Sequence, residues 1–258
     1  MQDLKVTLVQ ADQIWEDKQG NLENYEKLLV NLEETDLVVL PEMFHTGFSM
    51  NAEELAETME DSQGLEWLKA KAKELDAAFY TSLIIKENKN YFNRGVFVYP
   101  NGEIKTYDKR KSFGLAGEDK IYTKGAKNKI VALNGWKIQL QICYDVRFPE
   151  INRNKIDGNT ENPIYDLQLF VANWPAKRSL HWKTLLRARA IENQSYVIGV
   201  NRVGKDANNL EYSGDSLLTN ALGNVQNLTP CKEELKTFVL FSNELINIRK
   251  SLPFLKDQ

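Results

Sequence analysis

In Asp36-Leu37-Val38-Val39-Leu40-Pro41-Glu42-Met43-Phe44 a short continuous apolar run up to Leu40 is followed by a proline and a carboxylate. A run of this kind, apolar at consecutive positions rather than alternate ones, is the pattern of a strand buried on both faces. Upstream, Val6 to Val9 begins a first apolar strand, and residues 21–35 carry Leu22, Tyr25, Leu28, Leu29 and Leu32 at helical spacing. The chain therefore opens as β-α-β. Pro41 keeps the residue before it extended, which delivers Glu42 at the carboxyl end of the strand, where open α/β sheets bind their ligands. A glutamate is ordinarily a solvated surface residue, but apolar neighbours on both sides of Glu42 argue against that here. Partial burial raises a carboxyl pKa and suits the group to general-base work.

Beyond this opening, the pattern predicts a helix over 52–75 interrupted near Gly64, a strand over 78–85, and strands over 91–99 and 103–109 flanking Pro100-Asn101-Gly102, whose Asn-Gly pair is a hairpin signal. Strands follow at 136–142 and 167–172, then a helix over 179–193 bearing Leu185, Leu186, Ala190 and Ile191, and a strand over 196–200. Asn220-Ala-Leu-Gly-Asn224 reads as a turn between two further strands, and 241–252 as a terminal helix. The polar segment 152–162 reads as a surface loop. With no repeat, low-complexity stretch or linker, the chain is expected to be one domain over 1–258, a layered α/β structure with mixed sheets.

At 258 residues a sizeable core is available. A formal net charge of −3 argues against a nucleic-acid partner, since that mode shows a basic face. The apolar runs are far too short to span a bilayer. The N-terminal residues show no basic stretch followed by a long apolar one, and only two cysteines occur, which places the protein in the cytoplasm with reduced thiols. No zinc-ligand spacing, phosphate loop or dinucleotide fingerprint is present, so neither a metal nor a cofactor is expected. Glu42-x-x-His45 matches half of a carboxylate metal motif, but that motif needs a helix and a second copy. Pro41 and Gly47 oppose the helix, and the sequence holds no second copy.

Cys143 ends the alternating run Lys137-Ile-Gln-Leu-Gln-Ile-Cys143-Tyr-Asp-Val-Arg-Phe-Pro149. Ile138, Leu140 and Ile142 share one face, and Gln139, Gln141 and Cys143 the other. A turn just after Cys143 presents its sulfur at the sheet edge, with the following backbone N–H groups free to receive negative charge. A lone thiol is more often inert core filler, and as a nucleophile it needs a base and a cation. His45 and His181 are the sole histidines, neither in a helpful context, so a carboxylate is the better candidate for the base. The stretch Tyr107-Asp-Lys109-Arg-Lys111 offers three basic residues, either a solvated tip or, with one turned inward, an oxyanion donor. Glu118, beside Gly117, reads alone as an ordinary loop carboxylate.

Taken together, Leu40-Pro-Glu-Met-Phe44, Tyr107-Asp-Lys109, Cys143-Tyr-Asp-Val-Arg-Phe-Pro149 and Asn173-Trp-Pro175 resemble the carbon–nitrogen hydrolase (nitrilase) superfamily over nearly the whole chain. The segments 41–50, 116–118, 173–182, 187–193 and 212–216 resemble its bacterial omega-amidase branch, which hydrolyses the distal amide of 2-oxo acids such as 2-oxoglutaramate. The resemblance implies a four-layer α-β-β-α sandwich with two mixed sheets. It also implies a Glu42, Lys109 and Cys143 triad, with Glu118 as an additional glutamate orienting substrate or Lys109. It selects Lys109 over Arg110 and Lys111 and assigns the Tyr144 N–H to the oxyanion. Arg147 is a candidate for a substrate carboxylate, or else a partner of Asp145 or Glu150. Phe44, Phe113, Trp174 and Trp182 are candidates for the pocket wall, and His45 for its border or a structural role. A homodimer is implied. Competing expectations are an amidase of deaminated glutathione or an N-carbamoyl compound, and a non-catalytic thiol sensor using an exposed Cys143. A glycosidase pairing Glu42 with Glu118 would leave Lys109 and Cys143 without a task.

Overall fold

The computed structural model describes residues 1–257. Its strands are β1 (Leu4–Gln10), β2 (Leu37–Val39), β3 (Ala78–Glu87), β4 (Asn90–Val98), β5 (Ile104–Asp108), β6 (Lys129–Leu133), β7 (Trp136–Ile142), β8 (Leu167–Ala172), β9 (Tyr196–Asn201), β10 (Val203–Lys205), β11 (Glu211–Ser213), β12 (Leu217–Thr219), β13 (Val225–Asn227) and β14 (Glu234–Leu240). Two six-stranded sheets form, in the orders β14-β1-β2-β3-β4-β5 and β13-β12-β9-β8-β7-β6, and β10 and β11 make a separate ribbon. Each large sheet has a parallel centre, β1-β2-β3 and β7-β8-β9, continued by antiparallel strands. Both are mixed sheets, as expected.

The helices are α1 (Lys18–Leu29), α2 (Ala52–Leu55), α3 (Gln63–Glu74), α4 (Glu118–Ile121), α5 (Pro149–Asn152), α6 (Ser179–Asn193) and α7 (Ser242–Ser251). Leu22, Tyr25 and Leu29 of α1 and Leu65, Leu68 and Ala72 of α3 pack on the face of the first sheet that carries Val38, Phe79 and Val96. The opposite face, with Val6, Val39 and Tyr80, joins the core of the second sheet. Trp182, Leu186 and Ala190 of α6 belong to that core too. The layers thus run α-β-β-α. No helix among the described residues is long and apolar enough to cross a membrane.

Several expected boundaries move. α1 starts at Lys18 because Asp17 caps it, accepting from the Gly20 N–H at 2.9 Å, and it stops at Leu29 rather than 35. The helix expected over 52–75 breaks at 56–62, not at Gly64, because Glu57 leaves it to bridge Ile85 and Ser62 then caps α3. Gly64 lies inside α3, where a Cβ would approach His45 Nε2 and Leu83 Cδ2 at 2.9 Å each. The segment 152–162 is not wholly a surface loop. Asn152 and Asn154 are fully buried, and the Asn154 amide donates to the Tyr165 and Asn193 carbonyls. Strands β6 and β14 were not expected. Both are partly exposed sheet-edge strands; β14 mixes polar and apolar residues, whereas β6 is the short apolar run Lys129-Ile-Val-Ala-Leu133.

Gly199 of β9 lies under α6, and a Cβ there would meet Leu186 Cδ1 at 2.3 Å and Trp182 Cζ2 at 2.7 Å. Overpacking of this kind costs about 1–3 kcal/mol or more. Gly199→Ala is therefore expected to lower the denaturant midpoint without changing the m-value. An unchanged midpoint would show that α6 can shift away freely.

Candidate active site

Four strands deliver the site from their carboxyl ends. Glu42 follows β2, Lys109 follows β5, Cys143 follows β7 and Asn173 follows β8. The two sheets face each other, so residues separated by up to 131 positions meet. Glu42 is fully buried. Its Oε1 accepts from Lys109 Nζ at 2.8 Å and Asn93 Nδ2 at 2.8 Å, and its Oε2 accepts from the Asn173 N–H at 2.9 Å. The Asn173 amide donates to the Glu42 carbonyl at 2.6 Å, holding the backbone as well as the side chain.

Lys109 is placed by sheet register. Its N–H donates to the Asn93 carbonyl, extending the β4–β5 ladder by one residue, so the Asn93 and Lys109 side chains are cross-strand neighbours on one face. The ammonium bridges Glu42 and Glu118, the latter at 2.9 Å. Burial alone would push the Lys109 pKa down, but the Glu118 and Glu42 carboxylates outweigh it and hold it well above its ordinary value. Glu118 opens α4 after Gly117, whose φ of 77° permits the tight turn. Its Oε2 accepts the Phe113 N–H at 2.5 Å, which anchors the intervening loop. Arg110 and Lys111 turn elsewhere, Arg110 to Asn128 and Lys111 to Glu150.

Cys143 has φ of 45°, an unfavourable left-handed conformation for a residue with a side chain. It begins a 3₁₀ turn over Cys143–Arg147, so the strand ends in a sharp elbow with the sulfur at the tip. The expected alternation is present, but Gln139 and Gln141 do not face water: both are fully buried. Gln141 accepts from the Tyr107 hydroxyl at 3.2 Å. Burial raises the Cys143 thiol pKa well above its usual value, the Glu42 carboxylate within hydrogen-bonding reach raises it further, and Lys109 opposes both. The resting group is a thiol beside a carboxylate.

Asp145 secures the elbow. Its carboxylate accepts from the Ile142 N–H at 3.0 Å, the Lys111 N–H at 2.9 Å and the Tyr107 hydroxyl at 2.9 Å. It thereby joins the segment bearing Cys143 to the segment bearing Lys109. The supporting roles of Asp145, Asn93 and Asn173 were not legible in the sequence, because they depend on partners far along the chain.

In front of Cys143 lies a cavity of about 570 Å³. Tyr144, Arg147, Phe113 and Trp174, all expected near substrate, line it. Phe44 does not: it is fully buried against Tyr25 and Trp67, because the chain turns after Glu42 and drops Phe44 between α1 and α3. Trp182 is likewise buried behind Trp174, donating to the Asp215 carbonyl. His45 stacks on Phe44, with Nε2 3.2 Å from Glu57, in a structural position remote from the cavity wall. Arg147 pairs with neither Asp145 nor Glu150. Those carboxylates are taken by Tyr107 and backbone N–H groups and by Lys111.

Burial raises the Asp145 pKa from 3.8 to about 6. Because the folded value lies above the unfolded one, ionising this group costs stability, a cost absent below pH 3.8, growing as pH rises and complete above about pH 6. Asp145→Asn removes that dependence. The stability deficit of the variant is expected to shrink by on the order of 2–3 kcal/mol between pH 4 and pH 6 in denaturant unfolding. A constant deficit would rule the shift out.

The carbon-nitrogen hydrolase family model matches residues 5–239. The chain is 46% identical over 226 residues to omega-amidase YafV of Yersinia enterocolitica, covering 88% of this chain and 85% of that protein. It is 34% identical to the 2-oxoglutaramate amidase of Bacillus subtilis (strain 168), over 86% and 84% of the two chains. A crystal structure of XC1258 from Xanthomonas campestris, a CN-hydrolase superfamily protein with an arsenic adduct in its active site, superposes with a TM-score of 0.97. It shares 41% identity over 100% of this chain and 98% of that one. With its two facing mixed sheets and helical outer layers, this chain belongs to the carbon-nitrogen hydrolase family.

Proposed function

We propose that this protein is an omega-amidase, hydrolysing the distal amide of a small 2-oxo acid such as 2-oxoglutaramate through a cysteine thioester. The observation that carries the chemistry is the placement of Lys109 between Glu42 and Glu118, beside a thiol on a strained elbow at the base of a cavity. The likeness to proteins named omega-amidase and 2-oxoglutaramate amidase supports the substrate class.

In this mechanism Glu42 takes the Cys143 proton as sulfur attacks the amide carbon. Lys109 and the Tyr144 N–H, near the free amino end of the 3₁₀ turn, stabilise the negative oxygen of the tetrahedral intermediate. Glu42 then returns the proton to the departing nitrogen, the C–N bond breaks, and ammonia leaves a thioester. Water enters, gives a proton to Glu42 and attacks the thioester carbon. The C–S bond breaks, the proton returns to sulfur and the carboxylic acid is released. Glu118 keeps the Lys109 ammonium in place through both halves. Because the starting thiol is held neutral, each half requires one proton shuttled by Glu42. Arg147 meets the carboxylate at the far end of the substrate, and Phe113 and Trp174 flank its path.

Replacing Cys143 with Ala is expected to abolish ammonia release from 2-oxoglutaramate, and Glu42→Gln to lower kcat by roughly 10²–10⁴-fold. Mass spectrometry of quenched parent enzyme is expected to show an acyl adduct on the Cys143 peptide. Release by Cys143→Ala at the parent rate would end this reading. We further propose a single domain that works in the cytoplasm as a homodimer, in keeping with exposed Leu180 and Ile191 on α6. Light scattering should then give twice 29.7 kDa, and a monomer at that mass would overturn the dimer.

A further inference from the structure

Four charged side chains line the Cys143 cavity: Glu16, Asp206, Arg147 and Arg178. Both carboxylates are already engaged by the protein. Glu16 accepts from the Ser49 hydroxyl. Asp206 accepts from the Asn208 and Leu210 N–H groups at 2.8 and 2.9 Å, and from the Tyr212 hydroxyl at 2.9 Å. The two guanidiniums differ. Neither forms an ion pair among the described residues, and both are half-buried.

What holds the guanidiniums is aromatic. Arg147 lies over Trp174 at 5.1 Å and Tyr144 at 5.7 Å, and Arg178 lies over Phe113 at 5.2 Å. Phe113 and Tyr144 meet edge to face at 5.1 Å, so the two cations flank one aromatic unit. A guanidinium stacked by its face keeps its in-plane N–H donors for other partners. Arg147 spends one on His181 Nδ1 at 3.4 Å, while Arg178 has no side-chain acceptor among the described residues. The Arg178 backbone is fixed, because its carbonyl accepts the Trp174 indole N–H at 2.9 Å within the turn Ala176–Arg178. A cation partly withdrawn from water, held still and left without a counter-charge beside a nucleophile is suited to bind an anion.

We propose that Arg178 is a specificity-determining residue. Together with Arg147 it forms a two-guanidinium rim that takes the anionic end of the amide substrate and orients the amide toward Cys143. The inference rests on the amidase reading but not on 2-oxoglutaramate as the substrate. Recognition of a carboxylate with its adjacent oxo oxygen needs several in-plane donors, and the rim supplies two forks where Arg147 alone supplies one. The cost of leaving a half-buried cation unpaired falls on substrates without an anion, so neutral amides are disfavoured by the same groups.

The test compares kcat/KM for glutaramate, an anionic primary amide, with that for pentanamide, a neutral one of the same chain length. Parent enzyme is expected to favour glutaramate strongly. Arg178→Gln keeps a planar side chain without the charge and is expected to reduce that ratio by about tenfold or more, chiefly through KM for glutaramate. Arg178→Lys is expected to recover part of the ratio. A parent enzyme with no preference for the anionic amide, or an Arg178→Gln variant in which both substrates suffer equally, would overturn the proposal. Should parent enzyme fail on 2-oxoglutaramate while preferring glutaramate, the omega-amidase reading falls and the role of Arg178 stands.

Discussion

Everything in the site turns on one buried ammonium held between two carboxylates. Lys109 touches Glu42 at 2.8 Å and Glu118 at 2.9 Å, and all three side chains are nearly or fully excluded from water. Such a cluster has little net worth as a source of stability, because desolvation consumes most of the Coulombic gain. Its value is positional. Each charge is tolerable only while the others stay, so the three elements that carry them are locked to a common geometry. Losing one partner leaves an uncompensated buried charge, at a cost of about 3–5 kcal/mol. Asn93, donating to both carboxylates, extends the lock to β4.

The nucleophile depends on this lock indirectly. Burial raises the Cys143 thiol pKa well above its usual value, the Glu42 carboxylate raises it further and Lys109 opposes both, so a standing thiolate is disfavoured. In the proposed mechanism, reactivity therefore comes from proton transfer to Glu42 at the moment of attack rather than from a standing anion. That distinguishes the arrangement from thiols activated by a neighbouring cation. The strained φ at Cys143 is held in place by Asp145, which gathers donors from both sides of the site. The rigidity of the elbow and the position of Lys109 are thus linked through Asp145, which accepts from the Tyr107 hydroxyl of β5 and from the Lys111 and Ile142 N–H groups.

The cavity completes a division of labour. In the proposed mechanism its floor handles protons and the reacting carbon, while its rim carries the Arg147 and Arg178 guanidiniums over aromatic surface. The two regions share Tyr144, whose backbone belongs to the elbow and whose ring belongs to the rim. Under the proposed rim binding, a substrate held there would be registered directly against Cys143, which lets binding energy at the far end serve the chemistry.

The sequence by itself determined the local elements and the chemical identities. The apolar run before Pro41 announced a buried strand, the alternation before Cys143 announced another, and the scarcity of histidine made a carboxylate the expected base. These are near-neighbour properties of the chain, set by backbone sterics and by hydrophobic period. Resemblance to a family singled out Lys109 among three basic residues, a choice that composition and spacing left open. Only the tertiary structure decided what depends on distant partners: that Asn173 and Asn93 hold Glu42, that Asp145 braces the elbow, that Arg178 stands unpaired at the rim, and that Phe44 turns away into the core. The edge strands β6 and β14 belong to the same class, since each is completed as a strand by pairing with β7 or β1. Periodicity records which face of a segment is buried, whereas register and sheet packing decide which other residue that face will meet.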